Sequence, residues 1–124
     1  MTIDTPRPSL LFVCTGNATR SVIAGELARR ALPGARVATA GTFVVEGQVT
    51  SWRTRAAMDA IGITAPHHRS TQLTGEHLRD ADLVVVGNRG LNSLAGRILG
   101  SVPANLSHRS PCDVLIVHTT PKGR

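Results

Sequence analysis

The chain has 124 residues, 41% hydrophobic and 18% charged, enough for one globular domain with a single core. No apolar run approaches the roughly 20 residues that span a bilayer, and the start MTIDTPRPS lacks the basic-then-apolar order of a signal peptide, so a cytoplasmic protein without membrane contact is expected. A net charge of +6 would suit nucleic acid, but the basic residues are scattered and aromatics total 2%, with no Tyr. Stacking on single strands needs aromatic platforms, so no specific nucleic-acid partner is expected.

Short apolar runs alternate with helical patterns, which predicts a parallel sheet with helices on both faces. The first run, Leu10 to Cys14, is a strand ending in a thiol. From Ser21 to Leu32, apolar residues at Val22, Ile23, Leu27, Ala28 and Ala31 form a helical stripe, which Pro33-Gly34 ends. Arg36 to Ala40 is a second strand. Ser51 to Ile61 is a second helix stopped by Gly62, and Leu73 to Arg79 a short third one. Asp82 to Gly87 is the third strand. Leu91 to Leu99 is helical in pattern, and Ser101 can cap a further helix to about His108, with Pro103 in its first turn. Asp113 to His118 is the fourth strand. Each strand is apolar almost throughout, as burial on both faces requires.

The junction between the first strand and the first helix carries the chemistry. In Cys14-Thr15-Gly16-Asn17-Ala18-Thr19-Arg20-Ser21, a Gly-containing turn aims backbone N–H groups and a helix N-terminus at one point, which favours an anion. The same field favours a thiolate at Cys14, and the Arg20 fork can bind two phosphate oxygens at once. The second cysteine, Cys112, follows Pro111 at the start of a strand and is read as a buried structural thiol at the opposite sheet edge. Two cysteines in such different contexts make no disulfide framework. His67 and His68 lack metal-ligand spacing and are read as loop residues; no metal or cofactor is expected.

CTGNATRS, VATAGT from Val37 to Thr42, HRSTQLT from His68 to Thr74 and DADLVVV from Asp80 to Val86 resemble the low-molecular-weight protein tyrosine phosphatases. Thr19 stands where many members carry a second cysteine, and Val22 where many carry proline. The resemblance implies that Cys14 attacks a phosphate monoester and Arg20 stabilises the equatorial oxygens, with Thr15, Gly16, Asn17, Ala18, Thr19, Arg20 and Ser21 as the phosphate loop. It further implies that Ser21 helps hold the thiolate, that Asn17 fixes the loop shape, and that Trp52 walls the substrate cleft, where packing on the sheet is the equal alternative. The cysteine count argues against the related thioredoxin-coupled arsenate reductases, which need further redox cysteines.

From Leu83 onward, LVVVGNRGLNSLAGRILGSVPANLSHRSPCDVLIVH resembles the C-terminal third of a universal stress protein. Gly87-x2-Gly90-x9-Gly100-Ser101 matches that family's nucleotide-phosphate motif, and Pro111-Cys112-x-Val114-Leu115-x-Val117 its last strand. One domain over 1–124 is therefore expected, a chimera of a phosphatase-like half (1–82) and a stress-protein-like half (83–124) made by engineered recombination. Right-handed crossovers and the phosphatase resemblance give a flavodoxin-like or Rossmann-like three-layer sandwich with a four-stranded parallel sheet in the order 2-1-3-4. Cys14, Thr42, Gly87 and His118 then share the carboxyl edge, where ligands bind.

In the phosphatase family a general acid, an aspartate in an Asp-Pro loop after the last strand, protonates the leaving group. Here that place reads His118-Thr119-Thr120-Pro121-Lys122, and Asp80, Asp82 and Asp113 open strands at the wrong edge. A phosphate, sulfate or aryl phosphate ligand with weak or absent phosphomonoesterase activity is expected, from a monomer or weak dimer. Two alternatives stay open. One is an active phosphatase, with His118 as substitute acid. The other is an ATP-binding module through Gly87, Gly90, Gly100 and Ser101, binding weakly because the adenosine half of the stress-protein fold is missing.

Overall fold

A computed structural model describes residues 7–87 and 113–117. In chain order these form β1 (Ser9–Cys14), α1 (Arg20–Ala31), β2 (Arg36–Gly41), α2 (Trp52–Ala60), α3 (Gly75–Asp80), β3 (Leu83–Gly87) and β4 (Asp113–Val117). The expected helices at Leu91 to Leu99 and Ser101 to His108, and Cys112 and His118, lie outside the described residues.

The four strands pair in parallel in the order β2-β1-β3-β4, as the alternating pattern and crossover rule require. Register aligns the functional ends: Cys14 is level with Gly41, and Gly87 with Val117. β1 starts a residue earlier than expected, because Ser9 pairs with Arg36. β2 runs one residue further, to Gly41, whose N–H donates to Thr71 O and whose carbonyl accepts from Leu73 N–H. At the amino edge, the Ser9 N–H donates to the Asp82 carboxylate at 2.8 Å, and Asp82 N–H to Ser9 O.

Side chains alternate across a strand, and one sheet face buries Leu11, Val13, Val84, Val86, Ala40 and Ala81 together, with Leu73, Leu78 and Val114 against them. A second cluster of Val22, Met58 and Ile63 joins α1, α2 and the chain after α2.

α1 buries Ser21, Val22 and Gly25, whereas Leu27 and Ala31 of its apolar stripe are exposed. A Cβ on Gly25 would sit 2.7 Å from Thr39 Cγ2, so glycine brings the helix close to β2, while Leu27 lines the apolar groove over the sheet with Phe12, Val85 and Val117. Burial on both faces was expected of every strand, but in β4 only Val114 is half-buried and Asp113, Leu115, Ile116 and Val117 are exposed. β4 pairs with one strand, β3, and a sheet edge has fewer neighbours to cover it.

Among the described residues no helix is long and apolar enough to cross a membrane.

Candidate phosphate-binding and nucleophile site

β1 ends at Cys14 and α1 begins at Arg20, so the five residues between must reverse the chain at the carboxyl edge. Asn17 takes φ 51, the left-handed region that Asn tolerates better than most side chains. The reversal brings the Asn17 N–H back to donate to Cys14 Sγ at 3.2 Å. Ser21 Oγ lies 3.0 Å from the same sulfur. That hydroxyl accepts from Asn17 Nδ2 at 2.8 Å, which leaves its own proton for the sulfur. Two donors thus converge on Sγ.

Asn17 is completely buried, and a buried amide needs partners on every side. Its Oδ1 accepts from Thr71 N–H at 2.8 Å, and its carbonyl meets Ser70 Oγ at 3.0 Å and His68 Nε2 at 2.7 Å. The segment His68 to Thr71 therefore clamps the loop from outside. His68, read from the sequence as a simple loop residue, touches the loop backbone directly, and Ser70 was not singled out. Both belong to the HRSTQLT stretch, which was the available signal.

Further ties hold the rest of the loop. Thr42 N–H donates to Cys14 O and Phe43 N–H to Thr15 O, both at 3.0 Å. Thr19 Oγ1 lies 2.9 Å from Thr54 Oγ1 of α2, which in turn accepts from Ser51 Oγ, the N-cap of that helix. Exposed Arg20 opens α1 and has no hydrogen-bond or ion-pair partner among the described residues. It lines an apolar groove of about 450 Å³ with Cys14, Ser21, Phe12, Ile23 and Val85. Trp52 is 67% exposed with Arg53 5.4 Å from its ring centroid, so it does not pack on the sheet.

Of the residues proposed for phosphate, Cys14, Thr15, Gly16, Asn17, Ala18, Thr19, Arg20 and Ser21 all lie in this loop or its helix start. Of the second motif only Gly87 is described, at the end of β3; Gly90, Gly100 and Ser101 lie outside the described residues. Among the described residues no cluster of three His, Cys, Asp or Glu could hold a metal ion.

Seven of the eight carboxylates lie among the described residues and can be placed one by one. Neither 88–112 nor 118–124 contains Asp or Glu. Asp82 and Asp113 stand at the amino ends of β3 and β4, Asp80 ends α3, and Glu76 is in its first turn. Glu26 pairs with Arg29 on α1, and Asp59 is near the end of α2. Asp4 precedes the described residues. Among the described residues Glu46 alone lies in a loop at the carboxyl edge, where its Oε1 accepts from Gln72 N–H at 3.0 Å. Glu46 is not among the carboxylates weighed from the sequence, Asp80, Asp82 and Asp113, because nothing in its loop pattern marks it as lying at that edge.

Replacing Asn17 by Ala should cost about 2–5 kcal/mol: an orphaned Thr71 N–H costs about 1–3 kcal/mol and a left-handed Ala about 1–2 kcal/mol. Urea denaturation should show a lower midpoint, and phosphate titration of the still-folded variant should show weakened binding.

Comparison with known proteins divides along the chain. The universal stress protein family model matches residues 62–118. A universal stress protein of Mycobacterium tuberculosis is 72% identical over 40 residues, 32% of this chain and 27% of its own length. The protein-arginine-phosphatase of Geobacillus stearothermophilus is 42% identical over 82 residues, 65% of this chain and 55% of its own length. Among solved structures, the Erwinia amylovora tyrosine phosphatase AmsI superposes with a TM-score of 0.66 at 30% identity, over 84% of this chain and 69% of that one. The Escherichia coli K30 tyrosine phosphatase Wzb, solved with sulphate, gives 0.62 at 31% identity, over 65% of this chain and 57% of its own; its phosphate complex gives 0.61 at 28%, over 73% and 60%. The chain spans about half the length of the curated phosphatases it matches. By fold, and by homology over most of its length, it belongs to the low-molecular-weight protein tyrosine phosphatases.

Proposed function

We propose that the chain binds phosphate, sulfate or an aryl phosphate in the Cys14 to Ser21 loop and hydrolyses only phosphomonoesters with good leaving groups. The observation that carries this reading is the convergence of Asn17 N–H and Ser21 Oγ on Cys14 Sγ, with Arg20 opening the helix beside it. Sulphate and phosphate in the Wzb structures and the phosphatase names of the relatives support it. In the proposed reaction Cys14 Sγ forms the S–P bond as the ester P–O bond breaks and its electron pair leaves with the oxygen, while the Arg20 fork pairs with the equatorial oxygens. Water then attacks phosphorus, losing a proton to solvent, and the S–P bond breaks to release phosphate and the sulfur.

The carboxylates limit that reaction. A positioned acid is worth about 10²–10⁴-fold, and the chain has no carboxylate after β3 except Asp113, at the amino edge. Cleavage should therefore fall steeply as leaving-group pKa rises across a series of aryl phosphates, with Cys14→Ser inactive throughout. Turnover of a phosphotyrosine peptide at ordinary enzyme rates would show that some other group supplies the proton, with His118 and Glu46 the first to test.

The same reading takes the chain as a single domain built from two families, joined within Asp82 to Gly87 by engineered recombination. The support is the 72% identity to a stress protein over 40 residues beside the phosphatase match over 82. An ATP-binding module is the second reading, favoured by the stress-protein match through residue 118. The end of β1, where a stress protein would hold adenosine, is here occupied by Cys14-Thr15-Gly16, so the chain would hold only a nucleotide's phosphates.

A further inference from the structure

We propose that the substrates this loop turns over best are phosphorylated imidazoles, the phosphohistidine side chains of a peptide or protein. The inference rests on the phosphatase reading and names the substrate class that a loop of this composition can serve. Its basis is the carboxylate placement: Asp82 and Asp113 stand at the amino edge, Glu26 pairs with Arg29, and Glu46 accepts from the Gln72 N–H. The stretches 88–112 and 118–124 contain none. The site attracts and activates a phosphoryl group, and among the described residues no carboxylic acid is committed to the departing atom.

Without that acid, the leaving group must depart with whatever proton it already carries. Phenolate is the conjugate base of an acid of pKa about 10, and aliphatic alkoxides are more basic still, whereas imidazolium has a pKa of about 6.5. In an N-phosphorylated imidazole the second ring nitrogen takes up a proton in the neutral range. Cys14 Sγ then forms the S–P bond as the P–N bond breaks, the electron pair stays on nitrogen, and the ring leaves as neutral imidazole. No proton transfer from the protein is required. Water next attacks phosphorus, the P–O bond forms and the S–P bond breaks. The water's proton goes to solvent and the sulfur departs as thiolate.

Nothing around the loop favours one ring over the other. Phe12, Ile23 and Val85 line a groove along the sheet face that reaches Cys14, and the exposed Phe43 and Trp52 stand on elements bonded to the loop, after the end of β2 and at the start of α2. Apolar and aromatic groups of this kind do not separate an imidazole from a phenol, so the leaving group decides between them.

The test compares two peptides of one sequence, carrying phosphohistidine or phosphotyrosine at the same position, with 4-nitrophenyl phosphate as the check on the underlying reading. Phosphate release is measured with the full chain, with folded Cys14→Ser and with no protein, since N-phosphates also hydrolyse unaided. The expected result is Cys14-dependent release from phosphohistidine at least about 10²-fold faster than from phosphotyrosine, the factor a missing acid withholds from the latter. Equal or faster release from phosphotyrosine, or release from phosphohistidine that survives Cys14→Ser, would overturn the inference and leave the phosphatase reading standing if 4-nitrophenyl phosphate is cleaved. If none of the three is cleaved, both fall.

Discussion

Replacing Arg20 by Ala should abolish measurable phosphate binding and leave the fold intact. Arg20 is exposed, begins α1, and has no hydrogen-bond or ion-pair partner among the described residues. The core beneath it depends on Val22, Met58 and Ile63 and on the sheet, none of which needs the guanidinium. Its fork would donate two charge-assisted hydrogen bonds to a bound phosphate. At about 1.5–3 kcal/mol each, their loss weakens affinity by about 10²–10⁴-fold. Arg20→Lys should recover only part of this, because an ammonium keeps the charge but not the bidentate geometry. Phosphate titration followed by loop amide shifts gives the affinity, and urea denaturation of the same samples the stability. A variant that loses stability as well as binding would show that Arg20 serves the core.

The sheet order and the thiol at its carboxyl edge were legible because local signals carry them. Alternation of apolar runs with helical stripes fixes a parallel sheet, and crossover handedness with the family resemblance orders it. Cys14 at a strand end, followed by a glycine turn and a helix start, places the anion loop without long-range information. What closes the loop was not legible in that way. Asn17 meets His68, Ser70 and Thr71 across 51 to 54 residues, and no periodicity reports a contact at that separation. The burial of α1 through Gly25 was hidden for a related reason. A hydrophobic stripe points to Leu27, whereas the close approach to Thr39 is set by the absence of a side chain. Glu46 escaped because its loop has no helical or strand pattern to place it at an edge.

Gly41 shows most sharply how the loop depends on its neighbours. It ends β2 level with Cys14, and its backbone is fixed on both sides, donating to Thr71 O at 2.9 Å and accepting from Leu73 N–H at 2.7 Å. A Cβ there would stand 2.6 Å from Thr15 O and 2.9 Å from Asn17 N, and would collide with Val44 Cγ2. The Val44 side chain can turn away, but two of the three obstacles are backbone of the anion loop itself. Gly41→Ala should therefore displace the turn at Thr15 and Asn17, and with it the N–H that reaches Cys14 Sγ. Overpacking of this kind costs about 1–3 kcal/mol, and displacement of a preorganised group by even 1 Å can cost about 10²-fold in rate. The variant should stay folded with a lowered urea midpoint while phosphate affinity and Cys14-dependent cleavage of 4-nitrophenyl phosphate fall together by at least about tenfold. Gly16→Ala is the control, because a Cβ at Gly16 meets nothing within 4 Å and strains no left-handed backbone. Equal losses in both variants would mean that any added methyl near the loop is harmful. A loss confined to Gly41→Ala would identify the end of β2 as the wall against which the nucleophile loop is shaped.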